Sequence, residues 1–446
     1  MMTPDDDRQG RGARAFAAPA FLVPAFALGA AHLWRSGGAG GAAACVLWAL
    51  ACFGRRAWMR PASFAALVFL AGEWVRTTEV LVQVRLAMDA PWMRLAVILL
   101  AVAAFTVTAA VLAWTGPGRA WFCRGRDKAS MQAAAFLLAA VPLFAMARFA
   151  PHLLLLDRIL PGFGMVQGLL AGFWAAFVCS RLAERKAATR ARLRAWRLFS
   201  LVFFAQFALS AAGWSLFAMT GKLHVPVPGV IVAGMLYRGT AGFMPFLFGA
   251  SVLLVGAAWC SHLCYFGSWD AWAATAERPA RHPGPLRWRV LSLLVACAAA
   301  LLFSFGNVPP ATAAICGAAL GLVMVPAALF VSRKKGWAAY CTLVCPLGLL
   351  ACLLGRLSFW RVRTTPRCTS CGACTRVCRY GAFDAARLAA GGPGLSCTLC
   401  RDCLNVCPHG GLSLRWLGMG AGGGAEKGFV ALVSAMHALF LFSAMV

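Results

Sequence analysis

Stretches of about 20 mostly apolar residues, the length a helix needs to cross a bilayer, recur along nearly the whole of this 446-residue chain. Eleven are expected to span: 15–34, 38–54, 61–84, 92–114, 130–150, 162–180, 198–219, 239–259, 290–308, 310–331 and 428–446. Inside hydrocarbon the backbone must satisfy its own hydrogen bonds, so repeated runs of this length dictate a helical bundle. Composition agrees. Hydrophobic residues make up 61% and charged residues 13%, against about 45–50% and about 25% in soluble domains. An ordinary soluble enzyme and a disordered chain are both excluded. The first stretch lacks a small-residue exit site and reads as a membrane helix, not a cleaved leader.

The charge balance then reports orientation. There are 42 Lys and Arg against 14 Asp and Glu, formally +28. In a soluble protein this would suggest nucleic acid; here the cations sit in short loops between spans, so no nucleic-acid partner is expected. Placing the N-terminus in the cytoplasm puts most of them on one side. They are Arg8, Arg11 and Arg14; Arg55, Arg56 and Arg60; Arg119, Arg124, Arg126 and Lys128; then the run RLAERKAATRARLRAWR at 181–197. Arg278, Arg281, Arg287 and Arg289 follow, then the cations from Arg333 to Lys427. The expected location is a cytoplasmic (inner) membrane.

The third stretch carries Glu73, Arg76 and Glu79 three apart, with Gln83 four further on. That spacing gives one helix face. It reads either as a proton or quinone-headgroup site or as a structural Glu–Arg–Glu lock.

Residues 360–416 break the apolar pattern and hold two cysteine runs. The first is C-x2-C-x2-C-x3-C at Cys368, Cys371, Cys374 and Cys378. The second repeats it at Cys397, Cys400, Cys403 and Cys407, followed by Pro408. Soft thiolates in such triples with a more distant fourth suit a [4Fe–4S] cube, and in two-cluster ferredoxins each fourth cysteine serves the other cluster. The expected sets are Cys368, Cys371, Cys374 and Cys407, and Cys397, Cys400, Cys403 and Cys378. Structural zinc also accepts four cysteines, but its ribbons use paired C-x2-C. Arg379 stands where the first run would carry proline. The expected fold is an all-α polytopic membrane protein of about 11 spans with a small α+β, bacterial-type 2[4Fe–4S] ferredoxin domain on the cytoplasmic side. Its expected parts are 1–238, 239–359, 360–416 and 417–446, the last opening on a flexible Gly-rich linker at 418–428.

A second pattern is duplicated. Trp259-Cys260-x3-Cys264 and Tyr340-Cys341-x3-Cys345 each continue to a glycine, Gly267 and Gly348, 81 residues apart. Cysteines four apart share a helix face. The two pairs could converge on one four-thiolate site for a metal or third cluster, act as redox dithiols, or simply pack. His262 sits inside the first pair as a candidate extra ligand. The other cysteines (Cys45, Cys52, Cys123, Cys179, Cys297, Cys316, Cys352) read as small apolar fillers. His32, His152, His224 and His437 lack a motif for a two-histidine haem.

With these motifs the chain resembles the NapH/NosR-type membrane polyferredoxins, over roughly 240–416. Cys341, Cys345 and Pro346 match a C-x3-C-P motif; Cys260 and Cys264 match its partner, with Tyr265 in place of the proline. The resemblance implies electron transfer between the quinone pool and a respiratory or reductase partner, in a quinol dehydrogenase-like subunit. The expected cofactors are two [4Fe–4S] clusters, with quinone as substrate and other redox subunits or a ferredoxin-type donor as partners. Two other readings stand beside it: a redox or metal-handling assembly factor for a respiratory metalloenzyme, and a transporter or sensor under ferredoxin control, its N-terminal helices being outside the resemblance.

Overall fold

A computed structural model describes residues 4–217, 227–240, 242–277, 286–418 and 423–443. Arg278, Arg281, His224 and residues 419–422 of the expected linker lie outside them. The chain is 76% helical. Among the described residues, eight of the eleven expected spans are helices long and apolar enough to cross a bilayer. They are Ala17–Arg35, Met93–Trp114, Arg126–Phe149, Gly164–Leu182, Phe243–Leu263, Arg287–Phe305, Pro310–Lys335 and Gly424–Phe442. This is a helical polytopic membrane protein.

The other three stretches are helical but differ. Ala39–Cys52 has 14 residues, about 21 Å at 1.5 Å per residue, short of the roughly 30 Å hydrocarbon core. Met59–Ala87 is long enough but carries Arg60, Glu73, Arg76, Glu79 and Arg85. Arg185–Ala211 spends its first half on the basic run and ends at Ala211.

The chain folds as two compact units, Met1–Phe177 and Val178–Val446. In the first, Leu22, Phe26, Trp48, Trp58, Met59, Leu67 and Phe136 form a buried core. Small residues let its helices approach: a Cβ on Gly172 would lie 2.5 Å from the Phe136 ring.

The second unit carries the duplicated element. Phe243–Val255 runs through a tight turn into one π-helical turn, Trp259–Leu263, then the extended Cys264, then the helix Tyr265–Ala273. Pro310–Lys335 stops at the left-handed Gly336, and a π-helical turn Tyr340–Val344 follows. The extended Cys345 leads into Pro346–Leu354. The hinge cysteines match closely, φ −77° and ψ 119° at Cys264 against φ −73° and ψ 112° at Cys345. The repeated glycines have a steric cause. A Cβ on Gly267 would sit 2.7 Å from the Cys260 carbonyl oxygen, and one on Gly348 would sit 3.1 Å from that of Cys341.

Residues 360–416 form a small knob. Strands β1 (Trp360–Thr364) and β2 (Leu412–Trp416) pair antiparallel, Val362 opposite Leu414. Between them lie short helices at Ala373–Val377, Ala385–Ala389 and Asp402–Val406.

The basic run is not a solvated loop. It begins the helix Arg185–Ala211, which packs on the knob and on Tyr265–Ala273. Arg192 is only 4% exposed; its guanidinium donates to Asp402 Oδ2 at 2.8 Å and to the Ser261 carbonyl at 3.0 Å. Thr189 donates to Asp402 Oδ1 at 2.9 Å. Trp196 Nε1 and Ser200 Oγ donate to the carbonyls of Cys264 and Tyr265, both at 2.8 Å. Arg379 is a second tie. Its guanidinium donates to the carbonyls of Gly336 at 2.9 Å, Glu277 at 3.1 Å, and Ala274. A proline there could make none of these bonds.

Candidate functional site

The two cysteine runs of the knob wind alike. Ser370 and Leu399, two residues after the first cysteine of each run, have φ of 54° and 51°; Gly372 and Arg401, four after it, have φ of 70° and 67°. Three of these are not glycine, and left-handed backbone is costly for them. Left-handed residues at these two positions turn the chain in the same way within each loop. The fourth cysteines, Cys378 and Cys407, leave a five-residue helix in extended conformation. Ala382 N–H donates to Cys378 Sγ at 3.2 Å, and Gly411 N–H to Cys407 Sγ at 3.1 Å.

One cavity in the knob is lined by Cys368, Cys371, Cys374 and Cys407, with Leu388 and Leu412. The other is lined by Cys397, Cys400, Cys403 and Cys378, with Val362 and Phe383. Each fourth cysteine thus crosses to the opposite run. Atom-free space is about 300 Å³ in the first and about 340 Å³ in the second, counting the mouths. Burial pushes the Cys397 thiol up to about 12 and raises Cys374, Cys378, Cys400 and Cys403. Such thiols stay protonated unless a cationic centre replaces the proton.

A third cavity lies between the duplicated turns. Cys260, Cys264, Cys341 and Cys345 line it, with about 400 Å³ of atom-free space. Its wall also holds Cys352, Arg289, Trp259, Tyr380 and Thr398. Asp270, fully buried, sets one side: it accepts from Cys341 N–H at 2.8 Å and Ser332 Oγ at 2.6 Å. None of the 19 cysteines is in a disulfide. His262 is not part of this wall. Its ring Nδ1 lies 3.0 Å from Ser261 Oγ and 3.3 Å from the Ala258 carbonyl oxygen. Among the described residues, no three His, Cys, Asp or Glu side chains are grouped to hold a single metal ion.

The acidic face of the third stretch does not gather. Glu73 pairs with Arg76, one bond being 2.9 Å, and His32 Nε2 lies 4.0 Å from Glu73. Glu79 and Gln83 are exposed on the helix surface. His437 Nε2 lies 3.0 Å from the Ala195 carbonyl oxygen, locking the last helix to Arg185–Ala211.

The sequence does not mark Arg192, Arg289, Asp270 or Cys352 as site residues, and it marks Arg379 only as a departure from proline. Only Cys352 had a local signal, seven residues after Cys345 and so near the same helix face. No family model matches the chain, and no curated protein or solved structure matches it significantly.

Proposed function

We propose that this is a membrane-embedded electron-transfer protein that holds two [4Fe–4S] clusters in its knob, of the NapH/NosR polyferredoxin type. The observation that carries the reading is the pair of four-thiol cavities, each completed by the fourth cysteine of the other run. Cys368, Cys371, Cys374 and Cys407 would hold one cluster, and Cys397, Cys400, Cys403 and Cys378 the other. When bound, such clusters take up and release single electrons.

The chain supplies the rest. The Ala382 and Gly411 amides stabilise negative charge on Cys378 and Cys407. Val362, Phe383 and Leu412 keep water out of the cavities. The Arg192–Asp402 pair and Arg379 fasten the knob to the helices. The excess of cations in the segments around the knob supports a cytoplasmic position for it by the positive-inside rule. A lipid-soluble quinone is the proposed partner within the membrane, with other redox subunits at the knob.

The test is EPR of anaerobically purified, dithionite-reduced protein with iron and sulfide counting. Signals of two interacting reduced cubes are expected. Stoichiometric zinc, or no iron in an anaerobic preparation, would refute the reading.

A further inference from the structure

We infer that the cavity between the duplicated turns is a third iron–sulfur site, a [4Fe–4S] cube held by Cys260, Cys264, Cys341 and Cys345. The inference rests on the two-cluster reading of the knob and extends it to the membrane helices.

The hinge cysteines have the conformation of the knob's fourth cysteines. Cys264 and Cys345 leave a short helical turn at φ −77°, ψ 119° and φ −73°, ψ 112°. Cys378 and Cys407 do so at φ −75°, ψ 97° and φ −68°, ψ 112°. Gly348 N–H donates to Cys345 Sγ at 3.4 Å, as Ala382 and Gly411 do to theirs. The chain thus presents sulfur in one way at all three cavities.

Polar atoms without partners are the independent sign of a guest. Trp259 Nε1, Arg289 Nε and Nη1, Tyr380 OH and Thr398 Oγ1 are buried with no hydrogen-bond partner, and all four residues line this cavity. Arg289 Nη2 donates to Cys352 Sγ at 3.6 Å, so a neutral thiol meets one corner of the guanidinium while Nε and Nη1 are left without partners, a costly state for a buried charge. A bare cation would offer these donors nothing. An anionic guest with sulfide acceptors on its faces would satisfy them and balance the Arg289 charge.

Tyr380 and Thr398 line both this cavity and the one of Cys378, Cys397, Cys400 and Cys403. One layer of side chains therefore separates a thiol set built on membrane helices from a thiol set of the knob.

The test is iron and acid-labile sulfide counting with redox-titrated EPR on the full chain, purified anaerobically. The wild type should hold about twelve irons and twelve sulfides, and the Cys341→Ser/Cys345→Ser variant about eight of each. Eight in both, or stoichiometric copper or zinc at these thiols, would overturn the third site and leave the knob's clusters standing. Four or fewer in the wild type would instead overturn the proposed function. If the double variant does not accumulate, Arg289→Gln, which keeps all ligands, carries the test. One of three redox transitions should shift and two should stay; no shift would count against the inference.

Discussion

Replacing Arg192 by Met should release the knob from the basic helix. The substitution removes the 2.8 Å bond to Asp402 and the 3.0 Å bond to the Ser261 carbonyl. Asp402, 7% exposed, would keep only Thr189 as a side-chain donor within this contact. Breaking one side of a buried ion pair costs about 3–5 kcal/mol, because a charge is left buried and uncompensated. At 1.4 kcal/mol per factor of ten, local opening should become about two to four orders of magnitude more frequent. Native-state hydrogen exchange reads this directly: amides of 402–406 and 188–196 should lose protection by that factor, and those of the first unit should not. Replacing both partners, Arg192→Met with Asp402→Leu, should recover most of the loss, since apolar pairs of similar size substitute well for buried ion pairs. A change below tenfold in the single variant, or a double variant as open as the single, would refute the reasoning.

Other perturbations follow from the same geometry. Gly267→Ala puts a Cβ 2.7 Å from the Cys260 carbonyl oxygen and from the Trp196 ring; overpacking of this kind costs about 1–3 kcal/mol, so thermal inactivation should come earlier than for Gly72→Ala, which meets open space. Arg379→Ala deletes three carbonyl contacts, and limited proteolysis should then cut faster at 274–277 and 336–338 while cluster spectra stay unchanged. Iron-stripped protein should lose knob stability as pH rises from about 9 toward about 12. The folded state keeps Cys397 protonated where the unfolded chain ionises it, so stability is full below the free-thiol value and lost above it. Iron-loaded protein, its thiolates already held by metal, should show no such alkaline loss in circular dichroism.

The cysteine geometry was legible in the sequence because thiol spacing is local. Cysteines three residues apart can line one loop, and the crossing of the fourth was expected from the pattern of two-cluster ferredoxins. The paired glycines were visible as a repeat, although their cause, the approach of a carbonyl oxygen, needed the fold. What sequence could not carry was tertiary pairing. Arg192 lies in a run that reads as a cytoplasmic loop, and only the position of Asp402, 210 residues away, turns it into a buried anchor. Arg379 looked like a lost proline because its acceptors are helix-end carbonyls far along the chain. His262 sits between two cysteines in sequence, yet the π-helical turn faces it away from their cavity. The three stretches outside the set of eight differ from it in length or charge among the described residues, which a sliding reading of apolarity blurs.

The claim on which the rest depends is the crossing of the fourth cysteines. It is tested by Mössbauer spectra of 57Fe-loaded protein carrying Cys378→Ser, Cys397→Ser or Cys368→Ser. Cys378→Ser should disturb the same cluster component as Cys397→Ser and leave intact the component that Cys368→Ser disturbs. If Cys378→Ser instead reproduces the Cys368→Ser spectrum, each run closes on itself and the account fails.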